Sequence, residues 1–411
     1  MLYQMHTQSR VLLHPLMQWA NNSAQQWTNQ YFPLAHTPFA KQMAANCELL
    51  YRLGKHYDKP LFAIDSVLIN DQAVTITEEI VLSKAFCTLL HFKKQPTAGQ
   101  TTALNQAKVL LVAPLSGHHA TLLRDTVRGL LPDHDVYITD WTDARMVPLA
   151  QGTFHLHDYI YYVQDFIRLL GPELHVISVC QPTVPVLAAI SLLATEKDAH
   201  LPKSMTMMGG PIDPRISPTK VNLLATEKPF SWFENTVIYR VPANYPGAGR
   251  KVYPGFLQYA GFIAMNPERH AKSYQKFYED LASGEDISAE QHRQFYNEYN
   301  AVLDMSADYY LETIQTVFQD FSLPLGTWDV EGKRVRPQDI SSVALFTIEG
   351  ALDDISGAGQ THAAHTLCSN IPESKRQQYT APECGHFGIF SGRRWRETVC
   401  PKITAFIKEN S

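Results

Sequence analysis

Strand-like and helix-like segments alternate along the chain from residue 109 to residue 208. Short runs rich in apolar and β-branched residues occupy 109–113, 135–139, 175–179 and 204–208. Runs of this kind are typical of strands buried on both faces of a sheet. Helical patterns separate them, as at 120–131 and 157–170. The alternation predicts a mostly parallel central sheet with helices on both faces, which is the α/β class.

The alternation stops at residues 209–214 and resumes with the apolar run 342–348. The segment between is mostly helical in pattern and rich in aromatic residues. We therefore predict that residues 211–339 form a cap or lid insertion. The catalytic α/β domain is expected to comprise residues 61–210 and 340–411.

Residues 1–60 show aromatic residues at helical spacing and predict a helical arm, with its helices broken at Pro15, Pro33 and Pro38. The β-branched and alternating segments that follow, as at 73–77, predict antiparallel edge strands. A linker rich in Pro, Gly and Thr at 96–99 separates these strands from the parallel part.

Composition narrows the classes of function. The formal net charge is −5 and no long basic run occurs, which argues against a nucleic-acid-binding protein. No apolar run is long enough to span a membrane, and the N-terminus lacks the pattern of a secretory signal. We expect a soluble cytoplasmic protein. The six cysteines form neither a C-x-x-C pair nor a spacing typical of zinc sites or disulfide frameworks.

The candidate nucleophile lies in the segment 175–189. A buried strand is followed by Cys180 and then by a helix whose first turn contains Pro182 and Pro185, positions where the missing N–H is tolerated. This is the outline of the nucleophile elbow of an α/β-hydrolase, with cysteine in the usual place of serine. A buried structural thiol is the alternative. The strand-to-helix corner favours the nucleophile.

The other two members of a hydrolase triad follow in the expected order. His386 lies between Gly385 and Gly388 in a C-terminal loop, and the acid belongs in the loop after the strand 342–348. Taken alone, His386 also fits a surface histidine in a turn. Asp353 is preferred over Asp354 because the common pattern places the acid three residues after a strand-ending glycine. Asp354 is then expected to cap the turn 355–357.

Stabilisation of an oxyanion requires two backbone N–H groups. The first is expected from Gln181, after the nucleophile, and the second from Ser116 in the turn after the strand 109–113. His118 and His119 suggest a metal site, but adjacent histidines do not converge on one ion without further ligands. We predict no metal.

Aromatic residues of the insertion have two interpretations. Clustered aromatic side chains at helical spacing are commonly core residues. Alternatively, they line an apolar entrance for a long uncharged acyl chain. The candidates for such a substrate-binding surface are Phe230, Trp232, Tyr253, Phe256 and Tyr259. Composition leaves both interpretations open.

Several motifs resemble one family, the intracellular poly(3-hydroxybutyrate) (PHB) depolymerases, which are cysteine hydrolases that mobilise stored polyester granules. Val-Cys-Gln-Pro replaces the G-x-S-x-G motif of lipases in this family. The similar segments are 179–189, 208–213, 349–357 and 385–388. The resemblance covers nearly the whole chain, and it departs from the family pattern at Ala351 and Leu352.

The resemblance implies an α/β-hydrolase fold with a cap and a triad of Cys180, His386 and Asp353. It also implies cleavage of amorphous polyester through a thioester acyl-enzyme, with release of 3-hydroxybutyrate units or oligomers, and attachment to the granule surface in the cytoplasm. No cofactor is expected. Coenzyme A stays open as an alternative acyl acceptor to water, and the oligomeric state is open.

Two other functions fit the same residues. A polyhydroxyalkanoate synthase-like acyltransferase uses cysteine, aspartate and histidine to build the polymer, but its cysteine motif is flanked by glycines, whereas this chain has Ser178 and Pro182. A non-catalytic granule-coating protein on a hydrolase fold is the second alternative. The complete triad argues against it.

Overall fold

The computed structural model describes residues 2–29, 31–95 and 106–411. The predicted linker at 96–99 lies outside these residues. In the described part, a nine-stranded sheet forms the centre of the fold.

The strands alternate with helices from β4 onward. They are β1 (Ser66–Ile69), β2 (Gln72–Ser83), β3 (Cys87–Lys94), β4 (Lys108–Val112), β5 (Asp135–Trp141), β6 (Leu174–Val179), β7 (Ser204–Met208), β8 (Tyr239–Arg240), β9 (Lys251–Tyr253), β10 (Met305–Ser306), β11 (Asp329–Val330), β12 (Lys333–Arg334), β13 (Ala344–Gly350) and β14 (Arg376–Ala381).

The spatial order of the large sheet is β1-β2-β3-β5-β4-β6-β7-β13-β14. Strands β1, β2 and β3 pair antiparallel, and β3 joins β5 antiparallel. From β5 to β14 all neighbours are parallel. This order, in which β4 lies between β5 and β6, confirms the predicted α/β-hydrolase fold.

Burial follows position in the sheet. The central strands β6, β7 and β13 are buried along their whole length, because helices cover both faces of a parallel sheet. Near the edge, β2 alternates between exposed and buried residues, as expected for a strand with one face in solvent. The carboxyl ends of the parallel strands therefore meet inside the molecule, where loops can bring side chains together.

The helices pack around this sheet and in two additional regions. They are α1 (Leu2–Thr28), α2 (Pro38–Gly54), α3 (Arg124–Leu130), α4 (Leu156–Leu170), α5 (Thr183–Thr195), α6 (Lys220–Glu227), α7 (Phe230–Thr236), α8 (Gly255–Met265), α9 (Pro267–Ser283), α10 (Asp286–Tyr299), α11 (Ala307–Thr313), α12 (Ala364–Leu367), α13 (Gly392–Arg394) and α14 (Cys400–Glu409).

The segment between β7 and β13 contains α6 to α11, a small sheet of β10, β9 and β8, and the hairpin of β11 and β12. Two of its helices, α8 and α10, carry aromatic residues toward the turn after β4: Phe262 stacks on His118 at 4.7 Å between ring centroids, and Tyr299 lies at 5.1 Å. The domain boundaries at residues 60, 210 and 340 stay predictions.

The N-terminal region contains α1 and α2, and one expectation about it is wrong. Helix α1 continues through Pro15 instead of breaking there. Its buried residues, which include Tyr3, Met17 and Ala20, hold both halves of α1 against the rest of the protein, and this packing outweighs the backbone hydrogen bond that proline removes. Pro38, by contrast, begins α2, and the Thr37 hydroxyl caps that helix by accepting from the Ala40 N–H at 3.2 Å.

Candidate active site

Cys180 occupies a strained corner between β6 and α5. Its φ is +67°, a left-handed conformation that is costly for a residue with a Cβ, of order 1–3 kcal/mol. The Cys180 N–H donates to the Met208 carbonyl at 2.7 Å, which ties the corner to the end of β7. The strain is therefore held by the sheet, and it turns the thiol out of the strand, as in a nucleophile elbow.

Two glycines make room beside this corner. A Cβ on Gly210 would lie 1.8 Å from the Thr183 hydroxyl oxygen and 2.5 Å from the Cys180 carbonyl oxygen. A Cβ on Gly209, whose φ is +56°, would lie 3.3 Å from both the Asp353 carboxylate and the His386 ring. The end of β7 thus approaches all three candidate triad residues, and only glycine fits there.

The structure brings His386 and Asp353 together. The ring Nδ1 of His386 lies 2.7 Å from Oδ2 of Asp353, and both side chains are almost completely buried. The other oxygen of Asp353 accepts from the backbone N–H groups of Ile355 and Ser356, each at 2.9 Å. The carboxylate is therefore fully engaged and holds the imidazole in one orientation.

The charge state of His386 depends on its two partners. Burial opposes a charge on the ring, but the electrostatic influence of Cys180 and Asp353, together with the hydrogen bond to Asp353, raises the pKa of His386 well above its ordinary value. A ring that bonds a carboxylate on one side and lies within electrostatic reach of a thiol is arranged to exchange a proton with that thiol.

Asp354 does not take the role that the sequence suggested for it. It is exposed to solvent, whereas Asp353 itself accepts the hydrogen bonds of the following turn. The expectation that Asp354 caps residues 355–357 is therefore wrong. One carboxylate performs both tasks because its two oxygens face opposite sides, one toward the turn and one toward the histidine.

A second buried acid, which the sequence reasoning missed, shapes the same loop. The Glu349 carboxylate accepts from the N–H groups of Gly359 (2.7 Å), Thr361 (2.7 Å) and His362 (2.9 Å). The hydroxyl of Thr361 in turn bonds both the N–H and the carbonyl of Gly210. Glu349 thus links the acid loop to the glycines beside Cys180. The feature of the sequence that could have identified Glu349 is a charged residue within a mostly apolar strand.

Gln181 lies where the first oxyanion donor is predicted, directly after Cys180 and two residues before α5 begins. Its side chain is buried, and its Oε1 accepts from the hydroxyl of Tyr309 at 2.7 Å. Tyr309 is itself buried and stacks on Tyr159 with 5.6 Å between ring centroids. This tyrosine from the insertion, which no sequence motif identified, thus holds the Gln181 side chain by a hydrogen bond.

Ser116, the second predicted donor, is half-buried in the turn after β4. The insertion holds the next residue in place: the Gly117 carbonyl accepts from the Leu303 N–H at 2.8 Å. A Cβ on Gly117 would lie 2.4 Å from Oε1 of Gln258. The turn is therefore covered by the insertion, and its backbone conformation is restrained from two sides.

The adjacent histidines 118 and 119 are both buried beside this turn. His118 bonds the Tyr299 carbonyl through Nε2 at 3.1 Å and stacks on Phe262. Burial lowers the pKa of His118 to about 4, and burial together with nearby positive charge lowers that of His119 to about 3. Both rings are neutral at pH 7 and act in packing.

One group of potential metal ligands exists among the described residues, and it lies at the start of α4. His155, His157 and Glu312 have ligand atoms within 4.8 Å of one another. Glu312 accepts from the Leu156 N–H at 2.8 Å and from His155 at 2.6 Å, so it caps the helix. The two imidazoles stack nearly parallel, 5.0 Å apart, and one ion cannot lie in both ring planes.

The predicted substrate-binding aromatics do not gather around one space. Phe256 and Tyr259 line a cavity next to α1. Tyr253 packs on Tyr310 at 4.3 Å between ring centroids, and Trp232 contacts Phe233. Residues closer to His386 are Phe387 and Phe390, whose rings lie 5.8 and 5.7 Å from the imidazole. The sequence did not single out this pair.

All six cysteines lie in the described part of the chain and are unpaired. Cys180 is half-buried and the other five are buried. Cys384 is close to the site in sequence, but its sulfur donates to the Gly385 carbonyl at 3.4 Å, and burial raises its pKa. Cys180 is thus the thiol that a substrate can reach most readily.

Comparison with known proteins shows that one family model matches part of the chain. Residues 209–411 match the family model described as the PHB de-polymerase C-terminus. No curated protein matches the chain. The matched segment includes Asp353 and His386, whereas Cys180 lies before it.

Solved structures with a similar fold include a putative lipase from Acinetobacter baumannii AYE, with 12% identity, coverage of 82% of this chain and 93% of that chain, and a TM-score of 0.46. A monoacylglycerol lipase from Paleococcus ferrophilus has 13% identity, coverage of 74% and 95%, and a TM-score of 0.43. At these TM-scores neither similarity carries an argument about the reaction. Among the described residues, no helix has the length and apolar character needed to cross a bilayer.

Proposed function

We propose that this α/β-hydrolase, whose residues 209–411 match the model of the PHB depolymerase C-terminus, cleaves ester bonds of amorphous PHB. Cys180 is the proposed nucleophile. The observation that carries the proposal is the buried His386–Asp353 hydrogen bond beside the left-handed corner at Cys180, to which Gly210 packs closely. A buried structural cysteine requires neither the strained corner nor the histidine.

The residues support a two-step reaction. His386 takes the proton of the Cys180 thiol as the sulfur attacks an ester carbonyl of the polymer. The N–H groups of Gln181 and Ser116 are proposed to hold the oxyanion of the tetrahedral intermediate. Its collapse breaks the carbon–oxygen bond, and His386 protonates the departing alkoxide, which leaves as a hydroxyl chain end. The acyl group stays on Cys180 as a thioester.

Water completes the cycle. His386 takes a proton from a water molecule, whose oxygen attacks the thioester carbonyl. The second tetrahedral intermediate expels the Cys180 thiolate, which regains its proton from His386. The product is a carboxylic acid, 3-hydroxybutyrate or an oligomer of it. Coenzyme A is proposed as an alternative acceptor in this step, in which case the product is an acyl thioester.

The proposed setting is the surface of a PHB granule in the cytoplasm. Incubation of the purified protein with amorphous PHB granules, followed by assay of soluble 3-hydroxybutyrate, tests the function. A depolymerase releases it steadily, and Cys180→Ala does not. A synthase-like acyltransferase would release little or none. Clearance by Cys180→Ala at the wild-type rate would indicate that the granule is affected without this chemistry.

The acceptor is tested with the same granules. Chromatography of the soluble products, with and without added coenzyme A, separates free acids from acyl thioesters. We expect free acids in both conditions, because water needs no binding site of its own. A switch to acyl-coenzyme A as the main product would make the thiol the preferred acceptor.

A further inference from the structure

A cavity of about 330 Å³ lies between the N-terminal helices and the insertion. This volume falls at the lower end of the range of roughly 300–1,000 Å³ that small-molecule sites span. Helix α1 supplies His6 and Arg10, the segment after α2 supplies His56, and α8 supplies Phe256 and Tyr259. The lining contains none of the three candidate triad residues. The cavity is therefore a second space, separate from the site already described.

Arg10 is the cation of this cavity with the fewest partners. In the described part of the chain, its guanidinium has one hydrogen bond, from Nη2 to the Lys55 carbonyl at 3.4 Å, and no carboxylate at ion-pair distance. Asp58, the acid that faces it from a distance, pairs with His56 at 3.2 Å. The guanidinium thus has donors free to bind an anion.

The other charged groups of the cavity have partners of their own. Arg52 donates to a backbone carbonyl at 3.1 Å and to Oδ1 of Asn297 at 3.0 Å, and the Lys55 ammonium lies 4.5 Å from the centroid of the Tyr57 ring. Arg145 pairs with Asp143 at 2.9 Å. Asp304 accepts from the Tyr3 hydroxyl and from the Gly255 N–H. Both carboxylates, Asp143 and Asp304, are therefore engaged away from Arg10.

The electrostatics of the cavity agree with this geometry. Burial and the nearby charge of Arg145 lower the pKa of Arg10 from its ordinary value, which is high enough to leave the side chain charged at pH 7. Burial and the charge of Arg10 lower the pKa of His6 to about 4, so that ring is neutral. Arg10 therefore contributes a positive charge that no carboxylate of the described residues pairs with.

Part of the wall beside Arg10 is apolar. Phe256 stacks on His6 with 4.0 Å between ring centroids, and Leu13 and Leu53 are part of the lining. A ligand that fits this surface has an anionic group for Arg10 and a short apolar body. A bare inorganic anion would leave the aromatic wall uncovered, and a neutral ester would leave Arg10 without a partner.

We propose that this cavity binds a short-chain carboxylate, with the carboxylate on Arg10 and the carbon chain against Phe256. The ligand class rests on the proposed function, because hydrolysis of the polyester releases 3-hydroxybutyrate, a carboxylate of this size. The cavity is thus a product-binding site distinct from the triad.

Isothermal titration calorimetry of the full-length Cys180→Ala variant tests this site without turnover. The titrants are 3-hydroxybutyrate, its neutral methyl ester and inorganic phosphate. We expect 3-hydroxybutyrate to bind, and Arg10→Gln in the same background to weaken binding by about tenfold or more, since a charge-assisted hydrogen bond is lost. Arg10→Lys is expected to restore part of the affinity. Arg393→Gln, a change at an exposed arginine that pairs with Glu397, is the matched control and should bind as the parent does.

Equal binding of 3-hydroxybutyrate by the Arg10→Gln variant would overturn the assignment, since the ligand would then lie elsewhere. Equal binding of the methyl ester would show that no charge is recognised, and equal binding of phosphate would show that the apolar wall is irrelevant. Each result contradicts the proposal. Failure of the proposed function is a separate result, because it appears as absence of 3-hydroxybutyrate release from granules by the wild-type protein.

Discussion

The strand ends that carry Asp353 and Glu349 and the helical insertion above them use polar side chains in different ways. At the strand ends, carboxylates collect backbone N–H groups, two on Asp353 and three on Glu349. In the insertion, imidazole and phenyl rings stack, as His292 does on Phe277 at 4.2 Å. The hydrogen bonds at the strand ends fix the positions of individual atoms, whereas the stacked rings of the insertion mainly fill space.

This difference explains which side chains are held in one defined orientation. A carboxylate that bonds nearby backbone groups leaves its loop little freedom, so Asp353 presents one oxygen to His386 in a defined direction. Stacked rings tolerate small displacements, because dispersion contacts are individually weak. Substitutions at the strand ends should therefore affect catalysis more strongly than substitutions in the insertion.

The largest effect is expected at Cys180. Cys180→Ala should lower ester hydrolysis by about 10³-fold or more, since the covalent route is lost. The rate on a soluble p-nitrophenyl ester measures this. Cys368→Ala, at a buried cysteine, is the control and should stay within about twofold. Retention of a tenth of the activity by Cys180→Ala would remove the basis for the assignment.

The paired aspartates give the next largest contrast. Asp353→Asn should lower turnover by about 10³-fold or more, because the imidazole loses its orienting charge, whereas Asp354→Asn should stay within about twofold. Asp353→Asn should also lower the pKa of His386, since the charge and the hydrogen bond that raise it are lost. Activity assays and an NMR titration of the ring measure the two effects. The reverse order of activities would move the acid by one residue.

Substitutions at two glycines compare the packing of the strand ends with that of the insertion through the free energy of unfolding. Gly210→Ala should destabilise the protein by about 1–3 kcal/mol and lower activity, because the added Cβ collides with Thr183 and with the Cys180 carbonyl. Gly261→Ala, in the exposed part of α8 with nothing within 4 Å, should stabilise by about 0.5–1 kcal/mol. Urea unfolding measures both. Similar changes in the free energy of unfolding at the two positions would contradict the claim that the strand ends are packed more tightly than the insertion.

The smallest effect on turnover is expected at Tyr309, the residue of the insertion that bonds Gln181. Tyr309→Phe removes the hydroxyl that bonds Gln181 and should lower turnover several-fold, in line with about 0.5–1.5 kcal/mol for one hydrogen bond. Tyr310→Phe is the matched control, since the ring of Tyr310 packs on Tyr253. Equal rates for the two variants would mean that Gln181 needs no support from the insertion.

The fold was predictable because its signals are local. Buried strands and amphipathic helices show as apolar patterns within short segments, and their alternation along the chain indicates a parallel sheet. The order of Cys180, Asp353 and His386 along the chain then matched the order that this topology requires. The Asp353–His386 contact found in the structure joins residues whose loops leave neighbouring strands β13 and β14. Chain order therefore carried information about proximity.

Other features required tertiary packing and were not predictable. The continuation of α1 through Pro15 depends on what its buried residues contact, and the exposure of Asp354 depends on which oxygens face the turn. Glu349 and Tyr309 act through partners 10 or more positions away in sequence. The aromatic pattern of the insertion predicted helices, but not which rings lie near Cys180, since stacking partners come from several helices.

The central claim is that Cys180 carries the acyl group, and rapid-quench mass spectrometry tests it most directly. After reaction with a 3-hydroxybutyrate ester and acid quench, peptide mapping should place a hydroxybutyryl adduct on the peptide that contains Cys180, and hydroxylamine should remove it. Cys180→Ala should carry no adduct. An acyl group on a serine such as Ser116, with Cys180 unmodified during turnover, would contradict the account.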